Sequence, residues 1–294
     1  MNLSDFNFPF EPTLVAKHPV HPRDHARLLV LNRHQGQIAD RQVHDLPDIL
    51  RSGDLLVVND TKVIPARLLG KKVPSGGRIE LLFVQRIDAT HAEVLINGRV
   101  GVGQLVEFQG SRQARVVEKQ SSRTVIHWLG PGTLQTYLQQ HGEMPLPPYF
   151  KREPTMQDRE DYQTMFAEVE GAVASPTASL HFTPRLLQAL ENKGIHCGTV
   201  TLHVGPGTFQ PVKTEVAGTG LQPAPCELAD PHPGQPSCDH VRGILGPLVL
   251  GPVFGVIADT KRAFHVHTFR ADEQGNQKRK DRHRRNRQCH DTAR

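Results

Sequence analysis

An α/β (α+β) main domain interrupted by a small inserted β-barrel is the fold class this sequence predicts, and three observations predict it. Apolar strand patterns alternate with capped helical segments on both sides of the middle of the chain. Between residues 71 and 129 the apolar period switches to two, with short strands recurring about every ten residues. No phosphate-loop or dinucleotide glycine pattern accompanies either part.

Taken in order, 27–31 (RLLVL) reads as a strand, 46–51 as a short helix ended by Gly53, and 55–58 (LLVV) as a buried strand. That strand runs into the polar turn Asn59 to Arg67, and polar turns at strand ends are held by a rigid scaffold and often carry sites. RIELLFV (78–84), HAEVLIN (91–97), QLVEF (104–108), ARVVE (114–118) and TVIHWL (124–129) then follow one another as the barrel strands. A short helix over 134–140 stops at Gly142, and Pro147-Pro148 sets an extended path into Tyr149, Phe150, Lys151 and Arg152. Thr183-Pro184 opens a helix with an N-cap and a proline at its first position, and Gly194 closes it. GTVTLHV (198–204) is a strand that ends in Gly205-Pro206-Gly207-Thr208-Phe209.

Composition narrows the function class. The 294 residues carry 35 Lys plus Arg against 30 Asp plus Glu, with 37% hydrophobic residues. Those are the proportions of a globular protein, not of a disordered or fibrous one. The N-terminal MNLSDFNFPFEP has no apolar run, so no signal peptide is expected. The most apolar long stretch, 244–258, has 15 residues with two prolines and three glycines. A membrane span needs about 20 apolar residues, so no membrane partner is expected. Four cysteines are too few for a disulfide scaffold, which points to a reducing cytoplasm.

The net charge of +5 is unevenly spread. Residues 1–215 hold 23 basic and 22 acidic side chains, whereas 216–294 hold 12 and 8. Seven of the latter bases lie in KRKDRHRRNR (278–287), which reads as a solvated tail rather than a nucleic-acid patch.

Three polar segments sit at element ends: 59–67, 171–183 and 201–209. Small residues and glycines in them let a ligand approach the backbone, and histidines there can move protons near neutral pH. Seventeen histidines raise the question of a metal, yet no His-x-x-x-His on a helix and no Cys-x-x-Cys is present, and no metal is expected. Cys197 has no adjacent base and reads as a buried structural thiol.

At these segments the chain resembles the S-adenosylmethionine:tRNA ribosyltransferase-isomerase family of queuosine biosynthesis. The resemblance is carried, in order, by RDHARLLVL (23–31), GDLLVVNDTKVIPARLLG (53–70), PLPPYFKR (145–152), DYQTMFAEVEGAVASPTASLHFTPRLL (161–187) and VTLHVGPGTFQPVKTE (200–215). It implies an α/β domain with an inserted β-barrel. It also implies transfer of the ribosyl part of S-adenosylmethionine to 7-aminomethyl-7-deazaguanine at the tRNA wobble position, with isomerisation to epoxyqueuosine tRNA and no metal. On this resemblance His203 and His181 are the expected general base and acid, in either order. Asn59, Asp60, Thr61, Arg67, Thr177, Gly205, Gly207 and Thr208 are expected to hold the S-adenosylmethionine substrate, the first four through its ribose hydroxyls or methionine carboxylate or else on tRNA phosphate. Tyr149, Lys151, Arg152, Tyr162 and Gln163 are expected to grip tRNA by stacking and backbone contacts. A cytoplasmic monomer is implied.

Two departures stand inside the matched region: Ser175 and Ser179 take positions where the family usually has Ala and Gly. The large departure follows Glu215. Residues 216–294 carry none of the family's later motifs and look like the product of a slipped reading frame. The domain expectation is therefore an incomplete α/β domain over 1–70 and 130–215, a barrel over 71–129, and a poorly ordered tail without the C-terminal part of the family fold. Such a chain is expected to be either that enzyme, impaired by the loss, or a non-catalytic RNA-binding remnant of it.

Overall fold

A computed structural model describes residues 7–32, 35–120 and 123–209, and the backbone of 255–259 and 262–266. Its strands and helices, in chain order, are β1 (Arg27–Asn32), β2 (Gln37–Gln42), α1 (Leu46–Ile49), β3 (Leu55–Asn59), β4 (Thr61–Val63) and β5 (Arg67–Val73). Then come β6 (Arg78–Arg86), β7 (His91–Asn97), β8 (Leu105–Phe108), β9 (Arg112–Lys119) and β10 (Thr124–Trp128). The chain continues through α2 (Leu134–His141), α3 (Asp158–Asp161), β11 (Val169–Ala172), α4 (Pro184–Asn192) and β12 (His196–Val200), with β13 (Gly255–Asp259) and β14 (Arg262–Val266) beyond.

The period-two region closes on itself as a six-stranded barrel in the order β10-β7-β6-β5-β8-β9. Alternation along each strand sends one set of side chains inward, as in β6, where Ile79, Leu81 and Phe83 are buried between more exposed neighbours. Leu68, Val94, Val106, Val116 and Ile126 complete that interior. Each such side chain contributes about 1.5–3 kcal/mol by leaving water. The barrel begins at Arg67, ahead of the period switch, because β5 buries only Leu68 fully and lacks a clear alternation. Trp128, Phe108 and Tyr137 of α2 pack together at one end, with Trp128 and Tyr137 ring centroids 4.9 Å apart. Gly142, which ends α2, is extended rather than left-handed. It is glycine for want of room, since a Cβ there would overlap the carbonyl of Pro65.

The main domain pairs β12 parallel to β3, with β13 and β14 adding antiparallel strands on the other side of β3. A second core joins Leu28, Val43, Leu46, Leu50, Leu56 and Val58 to Phe182, Leu186, Leu190 and Ile195, so α4 packs its apolar face against β1 and β3. The N-cap reads as the sequence indicates: the Leu186 amide donates to Thr183 Oγ1 at 3.3 Å, and Pro184 fills the first turn. The fully buried Asp24 accepts two hydrogen bonds from Arg185 and one from Thr183, tying the N-terminal segment to the start of α4.

Two expectations are corrected here. The helix expected over 46–51 ends at Ile49, because Leu50 turns extended to enter the core. The strand expected over 198–204 starts at His196 and leaves the sheet after Val200, for a reason given below. Between barrel and main domain runs a short parallel pair, β11 on β4, above a third core of Val63, Met144, Tyr162 and Ala172. No helix among the described residues is long and apolar enough to cross a membrane. Apart from the backbone of β13 and β14, the tail lies outside the described residues, including its basic run and three of its cysteines.

Candidate active site

The three polar segments converge, and side-chain amides and hydroxyls do the joining. Asn59, at the end of β3, donates from Nδ2 to the Leu202 carbonyl at 2.9 Å and accepts at Oδ1 from the Leu202 amide at 3.0 Å. The Thr61 amide donates to the same Oδ1 at 3.1 Å. Those bonds take the place of the next sheet pairing, which is why β12 stops at Val200 and the chain bends toward His203. Asp60 adds a second tie: its amide donates to Val200, and its Oδ1 accepts from Thr201 Oγ1 at 2.7 Å. The Asp60 carbonyl receives the Glu168 and Val169 amides, which draws in β11, and the Val173 and Ala174 amides donate to Val204.

His203 sits where these ties meet. Its Nδ1 lies 2.7 Å from Thr61 Oγ1. Its ring rests on the Gly171 backbone, where a Cβ would come within 2.6 to 2.8 Å of Cε1, Nε2 and Nδ1. No atom of the described residues stands within 4 Å of the space a Cβ would take at Gly205, so among them the turn after His203 is open on that side. Thr208 Oγ1 donates to the Gly205 carbonyl at 3.4 Å, and Gly207 is exposed in the same turn.

His181 closes the 3-10 turn Thr177–His181. Burial, helped by the positive charge of Arg23, pulls its imidazole down to about 4, so it is neutral near pH 7. Arg23 is itself held by the carbonyls of Gln163, Glu160 and Leu180. The Ser175 and Ser179 hydroxyls are buried without a hydrogen-bond partner among the described residues, and Thr177 is half-buried beside them in sequence.

The remaining expected residues separate. Arg67 stands apart at the barrel seam, bonded to Glu80, Glu143 and Glu153 at 3.0, 2.6 and 2.9 Å. It lines an open cleft of about 690 Å³ with Lys71, Arg78, Phe108 and Glu153, and neither histidine borders that cleft. Arg152 donates from both terminal guanidinium nitrogens to Asp158 at 2.7 and 2.6 Å, and this pairing holds the Asp158 carboxyl down at about 2. Gln163 clamps the Val63 amide and carbonyl, and Tyr162 is buried in the third core. Lys151 is exposed, with a left-handed backbone (φ 49°), and Tyr149 is half-buried next to it. Cys197, expected to be buried, is exposed on β12. Partial desolvation and the Glu191 carboxylate raise its thiol, which disfavours a thiolate nucleophile.

Sequence reasoning missed the individual parts of Gly171, Arg23 and the three glutamates. Gly171 was legible only as one glycine in a strand, a mark of close backbone approach. The partners of Arg67 come from three distant stretches and leave no local signal. Among the described residues no group of three or more potential metal ligands is gathered.

Residues 3–220 match the sequence model of the queuosine biosynthesis protein family. The S-adenosylmethionine:tRNA ribosyltransferase-isomerase of Xanthomonas oryzae pv. oryzae is 44% identical over 217 residues, covering 73% of this chain and 61% of that protein. Its counterpart from Desulfitobacterium hafniense is 44% identical over 219 residues, 73% of this chain and 64% of that one. The crystal structure of S-adenosylmethionine tRNA ribosyltransferase from Thermotoga maritima shares 27% identity, covers 68% of this chain and 58% of its own, and gives a TM-score of 0.29. The chain thus spans about three fifths of the length of the curated relatives it matches. On the family match and the 44% identity, the chain belongs to the queuosine biosynthesis protein family.

Proposed function

We propose that this chain acts on S-adenosylmethionine and tRNA, transferring and isomerising the ribosyl moiety onto 7-aminomethyl-7-deazaguanine at the wobble position. The observation that carries this reading is the convergence of the three polar segments on His203, with a second, neutral histidine in the middle segment. S-adenosylmethionine would supply the ribosyl carbons and, through its sulfonium, an acidified carbon–hydrogen bond beside the sulfur. The donor set suits that ligand. Neutral imidazole can accept the proton, a second imidazole can hydrogen-bond the departing adenine, and Thr177 with the open turn at Gly205 can receive ribose hydroxyls.

Asn59, Asp60 and Thr61 serve this site by holding His203, since their polar atoms already bond within the protein. Gly207 and Thr208 shape the open turn. The clamped Arg152 and Gln163 orient the 149–163 stretch, and Lys151 and Tyr149 face the tRNA, with buried Tyr162 supporting them. Arg67 at the barrel seam is a tRNA-side or carboxylate contact only after it exchanges one of its glutamates. The protein works as a cytoplasmic monomer in this reading.

The test is release of adenine from S-adenosylmethionine in the presence of precursor-bearing tRNA. His203→Ala and His181→Ala are each expected to lower turnover by 100-fold or more, on the order of a lost acid–base group. Wild-type turnover in both variants would remove them from the chemistry. Binding of tRNA by the wild-type chain without adenine release would favour the non-catalytic RNA-binding alternative.

A further inference from the structure

The two histidines are not equivalent, and their hydrogen bonding orders them. Thr61 is fully buried, and His203 Nδ1 is the hydrogen-bond partner of its hydroxyl among the described residues. A neutral imidazole carries one ring proton, on either nitrogen. If that proton were on Nδ1, it would point at Thr61 Oγ1 and leave the hydroxyl proton buried without an acceptor. If it is on Nε2, the hydroxyl donates to Nδ1 and every polar atom of the contact is used. A buried orphan donor is costly enough to bias the two tautomers on the order of tenfold. Gly171 supplies the second constraint, because the imidazole lies flat on its backbone, leaving no space for a Cβ. One contact fixes the plane of the ring and the other fixes its rotation.

We infer that Thr61 and Gly171 are positioning residues that hold His203 as the Nε2–H tautomer, so that His203 presents a hydrogen-bond donor to the ligand and is not the base. This rests on the function proposed above and deepens it. In the resting site His203 offers no free lone pair: Nδ1 is engaged by Thr61 and Nε2 carries the proton. His181 has a neutral imidazole with no protein hydrogen-bond partner among the described residues. His203 therefore keeps its proton and stabilises an acceptor atom, a ring nitrogen or a ribose oxygen, by a hydrogen bond from Nε2.

The experiment is long-range proton–nitrogen NMR of the full chain labelled with 15N-histidine, the His203 signals being assigned by their loss in His203→Gln and by contact with the Thr61 methyl. The wild-type protein is expected to show a protonated Nε2 and an unprotonated Nδ1. Thr61→Val is expected to reduce that bias about tenfold and Thr61→Ser to restore it. A protonated Nδ1 in the wild-type chain would overturn the assignment, and so would a Thr61→Val spectrum identical to wild type. None of these readings needs turnover, so a chain that releases no adenine defeats the proposed function and leaves the tautomer assignment to be judged by itself. Where the wild-type chain does release adenine, Thr61→Val is expected to lower kcat about tenfold with KM nearly constant, and Thr61→Ser to recover it. An unchanged kcat in Thr61→Val overturns the positioning role. Gly171→Ala, which pushes the ring off its floor, is the second variant and is expected to lose the same His203 signals.

Discussion

The segments 59–61 and 175–181 are both polar, both at element ends and both close to the sheet, yet they use their polar atoms in opposite ways. In the first, Asn59 makes three hydrogen bonds, the Asp60 side chain one and Thr61 one, all within the protein. In the second, the Ser175 and Ser179 hydroxyls have no hydrogen-bond partner among the described residues, and the half-buried imidazole of His181 sits beside the positive charge of Arg23. Burying a polar group is costly unless it is hydrogen-bonded, so the two segments contribute to stability with opposite signs. The first is a clamp that shapes the site, whereas the second holds hydrogen-bonding capacity in reserve. A sequence motif rich in polar residues can therefore mark either a scaffold or a ligand contact, and only the pairing of its atoms tells which.

The sharpest way to break this contrast is to open the clamp. Asn59→Ala would strip the amides of Leu202 and Thr61 and the carbonyl of Leu202 of their partner in a buried place. At about 1–3 kcal/mol for each unsatisfied buried group, a loss of roughly 3–5 kcal/mol is expected after local relaxation. Urea unfolding of the variant measures it. A loss below about 1 kcal/mol would mean that the clamp is decorative and that Asn59 is held for a ligand instead.

The contrast also explains how much the sequence could tell. The barrel strands were legible because alternation has a period that any one strand displays, as in Ile79, Leu81 and Phe83. Helix α4 was legible because Thr183, Pro184 and Gly194 punctuate it locally. The pair β4 and β11 was not, being three and four residues long and defined by pairing across a distant stretch. The end of β12 was misplaced because VTLHV continues an apolar pattern, while the Asn59 side chain that interrupts it lies 143 residues away. Site residue types were readable in the same manner: His203, Thr61 and Asn59 stood out, but which of them would be consumed by internal bonds depended on folding. Arg152 looked like a free cation and is locked onto Asp158, whereas its neighbour Lys151 is exposed.

His181 gives the next largest effect. Its folded imidazole titrates at about 4, below the ordinary value near 6.5. Between those pH values the unfolded chain takes up a proton that the folded chain refuses, so stability is full above about 6.5 and falls as pH drops through the window. Below about 4 the whole loss is present. Allowing for screening at a partly exposed ring, the loss is about 2 kcal/mol. Thermal melts from pH 7.5 to 4.5 should slope downward in the wild-type chain and flatten in His181→Gln over the same range. Equal slopes would show that the imidazole is not desolvated in solution as it is here.

A smaller effect separates Lys151 from Arg152. Lys151→Ala is expected to weaken tRNA binding and to reduce the salt dependence of log K by about 0.7–0.9, the signature of one lost phosphate contact. It should leave the melting temperature unchanged. Arg152→Ala is expected to lower stability by breaking a largely buried pair, while its effect on the salt slope stays near zero. Reversed results would place the tRNA contact on the guanidinium and require Asp158 to release it.

The smallest effect tests the reserve directly, and its sign matters more than its size. Removing a buried hydroxyl that has no partner relieves a desolvation cost and leaves only a small void. Ser175→Ala and Ser179→Ala should therefore each hold stability constant or raise it, by up to about 1 kcal/mol. Thr61→Ala, which removes a hydroxyl bonded to His203 together with a buried methyl, should lower it by at least a similar amount. Three substitutions that each remove one hydroxyl on neighbouring segments thus carry two opposite predictions, and the surrounding sheet and cores are common to all of them. If the serine variants lose stability as Thr61→Ala does, their hydroxyls are bonded in solution and the reserve does not exist. If they gain it, the oxygens are kept at a cost to the fold, and adding S-adenosylmethionine should raise the melting temperature of the wild-type chain more than that of either serine variant.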